Sequence, residues 1–265
     1  MNIFASPDSI DTRFPLSSPE DIKIAPDGQS NSGKAGRSVR LHERVPLIEL
    51  SDAERDKFLH VYDGEQLYHS PETVVPLDGS GLFNEDASLY WDYGCGRGER
   101  VIDMASRHPD NKYVGVDIHY RSLALGVRAA ASARLDNVRF IRGDVDLLSR
   151  LVPTESAMAT SIMFPAPRPN NQHGFNGMPS PSLAREIHRA LEDDGAPLEF
   201  SSDSEPYFNY RMRQIGLLGL FSCESNELRV GVNEADYPTR YQKLWESKGI
   251  PTYSAILRKV IQEED

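Results

Sequence analysis

The sequence has few of the residues that hold extracellular or metal-dependent proteins together. Its 265 residues include two cysteines, Cys95 and Cys223, and seven histidines, which lack the paired spacing of zinc ligands. The first residues, MNIFASPDSI, lack the basic and apolar regions of a secretory signal peptide. We therefore predict a cytoplasmic protein with no structural disulfide and no bound metal.

Long apolar runs and an excess of positive charge are also missing. No apolar stretch approaches the roughly 20 residues that a membrane-spanning helix needs, so no membrane partner is expected. Lys and Arg total 29 against 40 Asp and Glu, which gives a formal net charge of −11. Such a surface repels phosphate on average and disfavours a general polyanion binder, although a local basic patch is compatible with this total.

What is present is the material for a globular protein, with 39% hydrophobic and 26% charged residues. Residues 1–36 repeat Ser, Pro, Asp and Gly without an amphipathic period, which predicts a flexible leader. We predict that residues 37–265 form a single domain. Within it, residues 37–87 are an N-terminal extension and residues 88–265 carry the central sheet.

Strands alternate with helices from residue 88 onward. Ahead of this region, a capping box at Ser51 and Glu54 predicts a helix to about Val61. The predicted strands are residues 88–94, 113–118, 138–141, 159–164, 197–201, 220–223 and 253–261, and the predicted helices are residues 99–107, 121–135, 182–191 and 207–215. This alternation indicates an α/β fold with a doubly wound, seven-stranded, mostly parallel sheet. Because no helix is predicted between the last two strands, an antiparallel strand is expected near the C-terminus.

A glycine-rich turn, DYGCGRG, follows the first strand and opens the next helix. Gly94 and Gly96 in this turn would let the backbone approach a ligand, although such turns also occur without one. The spacing G-x-G-x-G leaves both a dinucleotide and S-adenosylmethionine open, but dinucleotide-binding turns read G-x-G-x-x-G. Asp92 would repel a pyrophosphate and attract a sulfonium or ammonium group. S-adenosylmethionine is therefore the favoured cofactor.

Acidic residues at the ends of the next two strands strengthen this interpretation. Asp117 ends the second strand, where a carboxylate can accept hydrogen bonds from both hydroxyls of a ribose. Asp144, followed by Val145, ends the third strand. Ligands of doubly wound sheets bind outside the carboxyl ends of the strands, so we predict that Asp117, Asp144 and Val145 join the turn in one cofactor site.

Five stretches, in order, are similar to motifs of the tRNA (guanine-N7-)-methyltransferases. They are LFNEDA (82–87) leading into DYGCGRGE (92–99), GVDIH (115–119), FPAPRP (164–169), DSEPY (203–207), and TRYQK (239–243) followed by GIPTY (249–253). The resemblance runs from about residue 37 to about residue 259. It implies a divergent class I S-adenosylmethionine-dependent methyltransferase with a Rossmann-like sheet and S-adenosyl-L-methionine as its cofactor.

The resemblance also implies roles for individual residues. Those implied to surround the cofactor are Asp92, Gly94, Gly96, Asp117, His119 and Asp144. Asp203, Thr239 and Gln242 are implied to face the methyl acceptor. Asp203 could instead cap the helix that begins near Pro206.

The chain departs from the family mainly in the acceptor half. The signature F-P-D-P-W-P reads FPAPRP here, so that the family's catalytic, guanine-binding Asp is Ala166 and its Trp is Arg168. The Glu of the family's T-x-[FY]-E motif is Gln242, whose amide can donate as well as accept. Residues 167–181, basic in the family, contain one Arg and one His. No catalytic residue is therefore assigned.

These departures suggest a changed methyl acceptor. We predict N-methylation of a small purine-like or otherwise nitrogen-rich heterocycle, with tRNA disfavoured as a partner. A ring nitrogen already has a lone pair, so proximity and orientation would suffice without a strong base. The residues predicted to contact this acceptor are Arg168, Asn170, His173, Asp203, Thr239 and Gln242.

Two alternatives stay open. The chain could be a tRNA (guanine-N7-)-methyltransferase that takes its RNA-binding charge from a partner subunit or from Lys and Arg elsewhere in the sequence. It could also be a non-catalytic, cofactor-binding scaffold within such a complex. A basic patch on the acceptor side of the structure would favour the tRNA enzyme.

Overall fold

The computed structural model describes residues 45–169, 174–193, 195–229 and 237–261. The predicted leader, residues 1–36, and two predicted acceptor contacts, Asn170 and His173, lie outside these ranges. Within them, the chain forms a central eight-stranded sheet and a separate two-stranded hairpin.

The strands, in chain order, are β1 (Leu59–Val61), β2 (Leu89–Tyr93), β3 (Lys112–Asp117), β4 (Val138–Arg142), β5 (Ala157–Met163), β6 (Arg168–Pro169), β7 (Phe175–Asn176), β8 (Pro197–Ser202), β9 (Phe221–Arg229) and β10 (Thr252–Lys259). The order across the sheet is β1-β4-β3-β2-β5-β8-β10-β9, and β6 pairs with β7 in the hairpin. All pairings in the sheet are parallel except that β10 runs antiparallel to both β8 and β9. This arrangement confirms the predicted fold class.

The helices are α1 (Asp52–Phe58), α2 (Gly64–His69), α3 (Gly79–Phe83), α4 (Glu99–Arg107), α5 (Tyr120–Ser132), α6 (Val145–Leu148), α7 (Pro181–Ala190), α8 (Glu205–Gly216) and α9 (Arg240–Ser247). Among the described residues, no helix is long and apolar enough to cross a membrane. In the same part of the chain, no group of three or more His, Cys, Asp and Glu side chains is placed to hold a metal ion.

The helix predicted from Ser51 to about Val61 is shorter than expected. Its capping box is present, because Ser51 and Glu54 exchange hydrogen bonds, but the helix ends at Phe58. The next residue, Leu59, is extended and buried, and it begins β1, which pairs with Phe140 to Arg142 of β4. The structure therefore adds an eighth strand at the edge of the seven that were predicted.

A helix that the sequence analysis missed, α9, precedes the last strand. Its buried residues are Gln242, Trp245 and Glu246, so two of the three side chains on its inner face are polar. With eight residues and only Tyr241, Leu244 and Trp245 apolar, the helix gives too short an apolar signal for the prediction to detect. The last two strands are thus joined through a helix, and the antiparallel strand is the one that follows it.

The sheet is buried on both faces, with helices packed against each. In β2, all five residues are buried, and successive side chains point to opposite sides. Trp91 and Tyr93 belong to the core that includes residues of α7 and α8. Tyr90 belongs to the core that includes residues of α1, α4 and α5. The central strands therefore end between two helical layers, where a ligand site can open.

Candidate active site

A cavity of about 410 Å³ lies at the carboxyl ends of β2, β3, β4 and β5. All seven residues predicted for the cofactor line it, namely Asp92, Gly94, Gly96, Asp117, His119, Asp144 and Val145. Two of the predicted acceptor contacts, Arg168 and Thr239, also line it, as does Ala166. The structure thus gathers residues from four of the five matching stretches, together with Asp144 and Val145, around one space.

The glycine turn exposes its backbone to this cavity. Gly94 and Gly96 have φ of 82° and 60°, in the left-handed region that favours glycine. A Cβ placed at Gly96 would meet nothing within 4 Å, so the turn is open at this position. At Gly98 the opposite holds, because a Cβ there would lie 2.4 Å from the ring of Phe140. The turn therefore packs tightly on β4 at one end and leaves room for a ligand at the other.

Asp117 joins the glycine turn to the beginning of α5. Its Oδ2 accepts a hydrogen bond from the backbone N–H of Gly96 at 2.9 Å, and its Oδ1 accepts one from the N–H of His119 at 2.8 Å. A carboxylate has about four acceptor positions, so these bonds leave capacity for ribose hydroxyls. The imidazole of His119 is exposed at the edge of the cavity.

Asp144 holds the opposite wall of the cavity in place. Its Oδ1 accepts hydrogen bonds from the backbone N–H groups of Asp146 and Leu147, at 2.9 and 3.3 Å, and so caps the N-terminus of α6. Val145, the first residue of that helix, lines the cavity beside it.

Asp92 lies at the bottom of the cavity and is 2% exposed. The hydroxyl of Ser161 on β5 donates a hydrogen bond to its Oδ1 at 2.7 Å. Burial raises the pKa of Asp92 to about 6, and the nearby Arg100 opposes this rise. The carboxylate therefore changes charge close to neutral pH, unlike an exposed aspartate.

Arg100 is the cation that faces Asp92, and it was missed by the sequence analysis. It is 5% exposed and forms an ion pair with Glu199 of β8. It also donates hydrogen bonds to the hydroxyl of Tyr90, at 3.2 Å, and to the backbone carbonyl of Tyr237, at 3.1 Å. No local signal could have revealed this network, since the partners Arg100 and Glu199 are 99 residues apart.

Three arginines and an aromatic ring also line the cavity. Arg97 from the glycine turn, Arg168 from β6, and Arg240 from α9 all line the space. Tyr241 lines it too, and 48% of this residue is exposed. Thr239 caps α9 by accepting a hydrogen bond from the N–H of Gln242 at 3.1 Å. Three segments that are distant in sequence thus contribute arginines to a cavity that is also lined by five carboxyl groups.

Two predicted acceptor residues are not part of the cavity lining. Gln242 is 2% exposed, and its Nε2 donates to Glu246 within α9 at 3.0 Å, because it lies on the buried face of that helix. Asp203 is half-buried, and burial raises its pKa. Ser204, rather than Asp203, occupies the N-cap position of α8. The acceptor roles of Gln242 and Asp203 stay predictions.

The fold is that of a class I S-adenosylmethionine-dependent methyltransferase. The fold is similar to that of an antibiotic-related methyltransferase, with a TM-score of 0.53 and 15% identity over 71% of this chain and 97% of that one. It is also similar to a 16S rRNA (adenine(1408)-N(1))-methyltransferase from Catenulisporales acidiphilia, with a TM-score of 0.50 and 15% identity over 67% and 88%. The chain belongs to the methyltransferase family Methyltransf_4, whose model matches residues 86–255.

The curated relatives confirm the resemblance found in the motifs. The chain is 29% identical to a tRNA (guanine-N(7)-)-methyltransferase of Chloroherpeton thalassium over 86% of this chain and 98% of the relative. It is 29% identical to the enzyme of that name from Rubrobacter xylanophilus, over 74% and 88%, and 32% identical to one from Thermotoga maritima, over 70% and 58%. The protein is a divergent relative of these enzymes.

The residues in the cavity fit S-adenosyl-L-methionine, the cofactor of this class. The open backbone at Gly96 leaves space that a side chain would fill, and Asp117 offers carboxylate oxygens beside it. The carboxyl groups that line the cavity belong to Asp92, Glu99, Asp117, Asp144 and Asp146, and they favour a ligand with a positive charge. When bound, the cofactor supplies a methyl group on a positively charged sulfur.

The prediction of a small heterocyclic acceptor, with tRNA disfavoured, is wrong. Relatives that align with this chain over 88% to 100% of their own length are named tRNA (guanine-N(7)-)-methyltransferases. The prediction relied on the departures at Ala166, Arg168 and Gln242 and on the low positive charge of residues 167–181, and it ranked charge from elsewhere in the sequence as the alternative. Arg97 and Arg240 reach the cavity from outside that segment.

We expect the affinity for S-adenosylmethionine to fall when the pH drops below about 6. In the free protein, Asp92 takes up a proton near that pH, while binding of a cation favours the ionised carboxylate. Since binding is then linked to ionisation, affinity should be about tenfold weaker at pH 5 than at pH 7. Isothermal titration calorimetry at several pH values measures this change.

The matched control is Asp92→Asn, which keeps the shape of the side chain but has no charge to lose. This variant should bind more weakly at pH 7 and lose most of the pH dependence. S-adenosylhomocysteine, which has no sulfonium charge, should show a smaller dependence in the original protein. An equal dependence in the variant would show that another group is responsible.

Proposed function

We propose that this protein transfers a methyl group from S-adenosylmethionine to N7 of a guanine in tRNA. The observation that carries the proposal is the similarity to the Chloroherpeton thalassium enzyme over 98% of that enzyme's length, which includes the acceptor half. Arg97, Arg168 and Arg240, from three separate segments, also line the cavity and can pair with phosphate groups.

In this proposal the seven residues of the cofactor half keep their predicted roles. Asp117 accepts hydrogen bonds from the ribose hydroxyls while it holds Gly96 and His119. Asp92 balances the positive charge of the methionine end. Gly94 and Gly96 allow close approach of the backbone, and Asp144 and Val145 form the wall at the start of α6.

The reaction does not require a carboxylate at position 166. N7 of guanine has a lone pair at neutral pH, so no side chain has to remove a proton before transfer. The protein can act by holding N7 in line with the methyl group, which is catalysis by proximity and orientation. The methylated base gains a positive charge, which the acidic lining of the cavity favours.

The acceptor side provides contacts suited to RNA. Arg97, Arg168 and Arg240 can pair with backbone phosphates, which position an RNA without reading its sequence. Tyr241 presents a half-exposed ring next to Arg240, and such rings stack with unpaired bases. These contacts are local, so they are compatible with the net charge of −11.

The first test is methyl transfer to unmodified tRNA transcribed in vitro. We expect labelled methyl to be recovered as 7-methylguanosine after digestion of the tRNA and mass spectrometry of the nucleosides. Asp117→Ala, purified in the same way, should lose most of the activity because it loses the carboxylate that orders the turn. Absence of transfer, or a label on a different nucleoside, would overturn the proposal.

A second prediction concerns Ala166, which is exposed at the cavity. Ala166→Asp should keep tRNA methylation at its original level or raise it, because a carboxylate there can accept hydrogen bonds from the donors of guanine. Such charged hydrogen bonds contribute about 1.5–3 kcal/mol. The measurement is kcat/KM for tRNA, and Ala166→Asn is the control of equal size. A loss beyond about tenfold at unchanged cofactor affinity would count against guanine as the acceptor.

A third prediction concerns the charge of Arg168. Arg168→Gln should weaken tRNA binding and reduce the slope of log affinity against log salt by about 1, as expected for one lost phosphate contact. Arg185→Gln is the control, because Arg185 is exposed on α7 and does not line the cavity. Titrations of tRNA at several salt concentrations measure both slopes. Equal slopes in the two variants would remove Arg168 from the RNA contact.

A further inference from the structure

One face of α8 holds the chain segment that closes the acceptor side of the cavity. We call residues 174–178 the return segment, because they include β7 and lead from the hairpin toward α7. Arg211 of α8 donates a hydrogen bond from Nη2 to the carbonyl of Phe175 at 2.7 Å. Tyr207, one turn earlier on α8, donates its hydroxyl to the carbonyl of Met178 at 2.6 Å. The two bonds fix both ends of the return segment.

Aromatic packing adds to these bonds. The ring of Phe175 contacts the rings of Tyr207 and Tyr210 edge-on, with centroids 5.3 and 5.5 Å apart. The guanidinium of Arg211 lies 5.4 Å from the centroids of both tyrosine rings. Tyr207 and Arg211 are 0% and 2% exposed. These side chains are thus shielded from water, where hydrogen bonds and cation–π contacts are strongest.

The return segment has no room to shift toward α8. Gly177 has φ of 115°, and a Cβ there would lie 2.9 Å from the hydroxyl of Tyr207 and 3.3 Å from the carbonyl oxygen of Ala166. The segment therefore passes between position 166 and α8 at a distance that only glycine allows.

Met178 connects α8 to the glycine turn through contacts at its backbone and its side chain. It lines the cavity, and its terminal methyl lies 3.0 Å from the position of a Cβ built at Gly94. The hydroxyl of Tyr207, the backbone of Met178 and the turn that ends β2 thus form a continuous line of contacts. This line crosses from the acceptor half to the cofactor half.

We propose that Tyr207 and Arg211 are positioning residues for methyl transfer, which act through Met178. They hold the return segment so that Met178 forms a fixed wall between the cofactor half and the acceptor half. This inference rests on the proposed function, since it assigns the wall to the alignment of tRNA with the methyl group. Neither residue lines the cavity, so neither is expected to touch a ligand.

The test is Tyr207→Phe, which keeps the ring packing and removes only the hydroxyl that binds Met178. The value of kcat for tRNA methylation should fall about tenfold, while the dissociation constant for S-adenosylhomocysteine should change less than about twofold. Tyr253→Phe is the control, because its hydroxyl binds the exposed Glu205 and not the return segment. Arg211→Lys should reduce kcat in the same way.

A double-mutant cycle with Met178→Ala separates positioning from a general loss of stability. If Tyr207 acts through Met178, Tyr207→Phe should lower kcat by less than about twofold when Met178 is already Ala. Additive losses, or a fall in cofactor affinity and melting temperature equal to that in kcat, would overturn the inference.

Hydrogen exchange gives a readout that does not depend on the substrate. The peptide covering residues 174–180 should exchange faster in Tyr207→Phe than in the original protein and in Tyr253→Phe. Unchanged exchange would overturn the inference even if tRNA is methylated. Faster exchange in a protein that does not methylate tRNA would support the holding contacts and reject only the proposed substrate.

Discussion

The elements around the cavity are tied together by an ion pair between the buried Arg100 and the partly exposed Glu199. A guanidinium away from water is stable only when its charge and its donors are satisfied, and here the partners come from β2, β8 and the residues before α9. These elements must therefore keep their relative positions for the charge to remain balanced. Asp92 is part of the same balance, because Arg100 lowers its pKa while burial raises it. The placement of the residues before α9 therefore affects the position of Arg100 and, through it, the charge of Asp92 in the cofactor site.

Much of the fold could be predicted because its signals are local. The seven strands followed from runs of β-forming residues and the helices between them. The antiparallel strand was expected because no helix was predicted before it, and its direction is confirmed although α9 lies there. The parts that were missed have different signals. In α9 the inner face carries Gln242 and Glu246, so its apolar signal is short and weak, and β1 has three residues, too few to show alternation. The site at the glycine turn and Asp117 could be predicted because the ends of parallel strands meet at one edge of the sheet. The hydrogen bond between Ser161 and Asp92 could not, because the two residues are 69 positions apart in sequence.

The wrong prediction of the acceptor shows a limit of arguments from charge along the sequence. Residues 167–181 contain little positive charge, and this was taken as the absence of an RNA contact. In the folded chain, Arg97, Arg168 and Arg240 line the same cavity although they are far apart in sequence. The sign of a surface is set by which segments meet there, and a sum over one segment, or over the whole chain, does not give it.

The position of β1 has a consequence for how this protein behaves in solution. By pairing with Phe140 to Arg142, β1 satisfies backbone groups on the outer side of β4, and Leu50 and Phe58 cover apolar side chains of the same core. Without residues 50–61, β4 would be an open sheet edge next to an uncovered apolar face. Open edges and apolar faces are the features by which sheets recruit other chains. Residues 50–61 therefore cover both of these features in this protein.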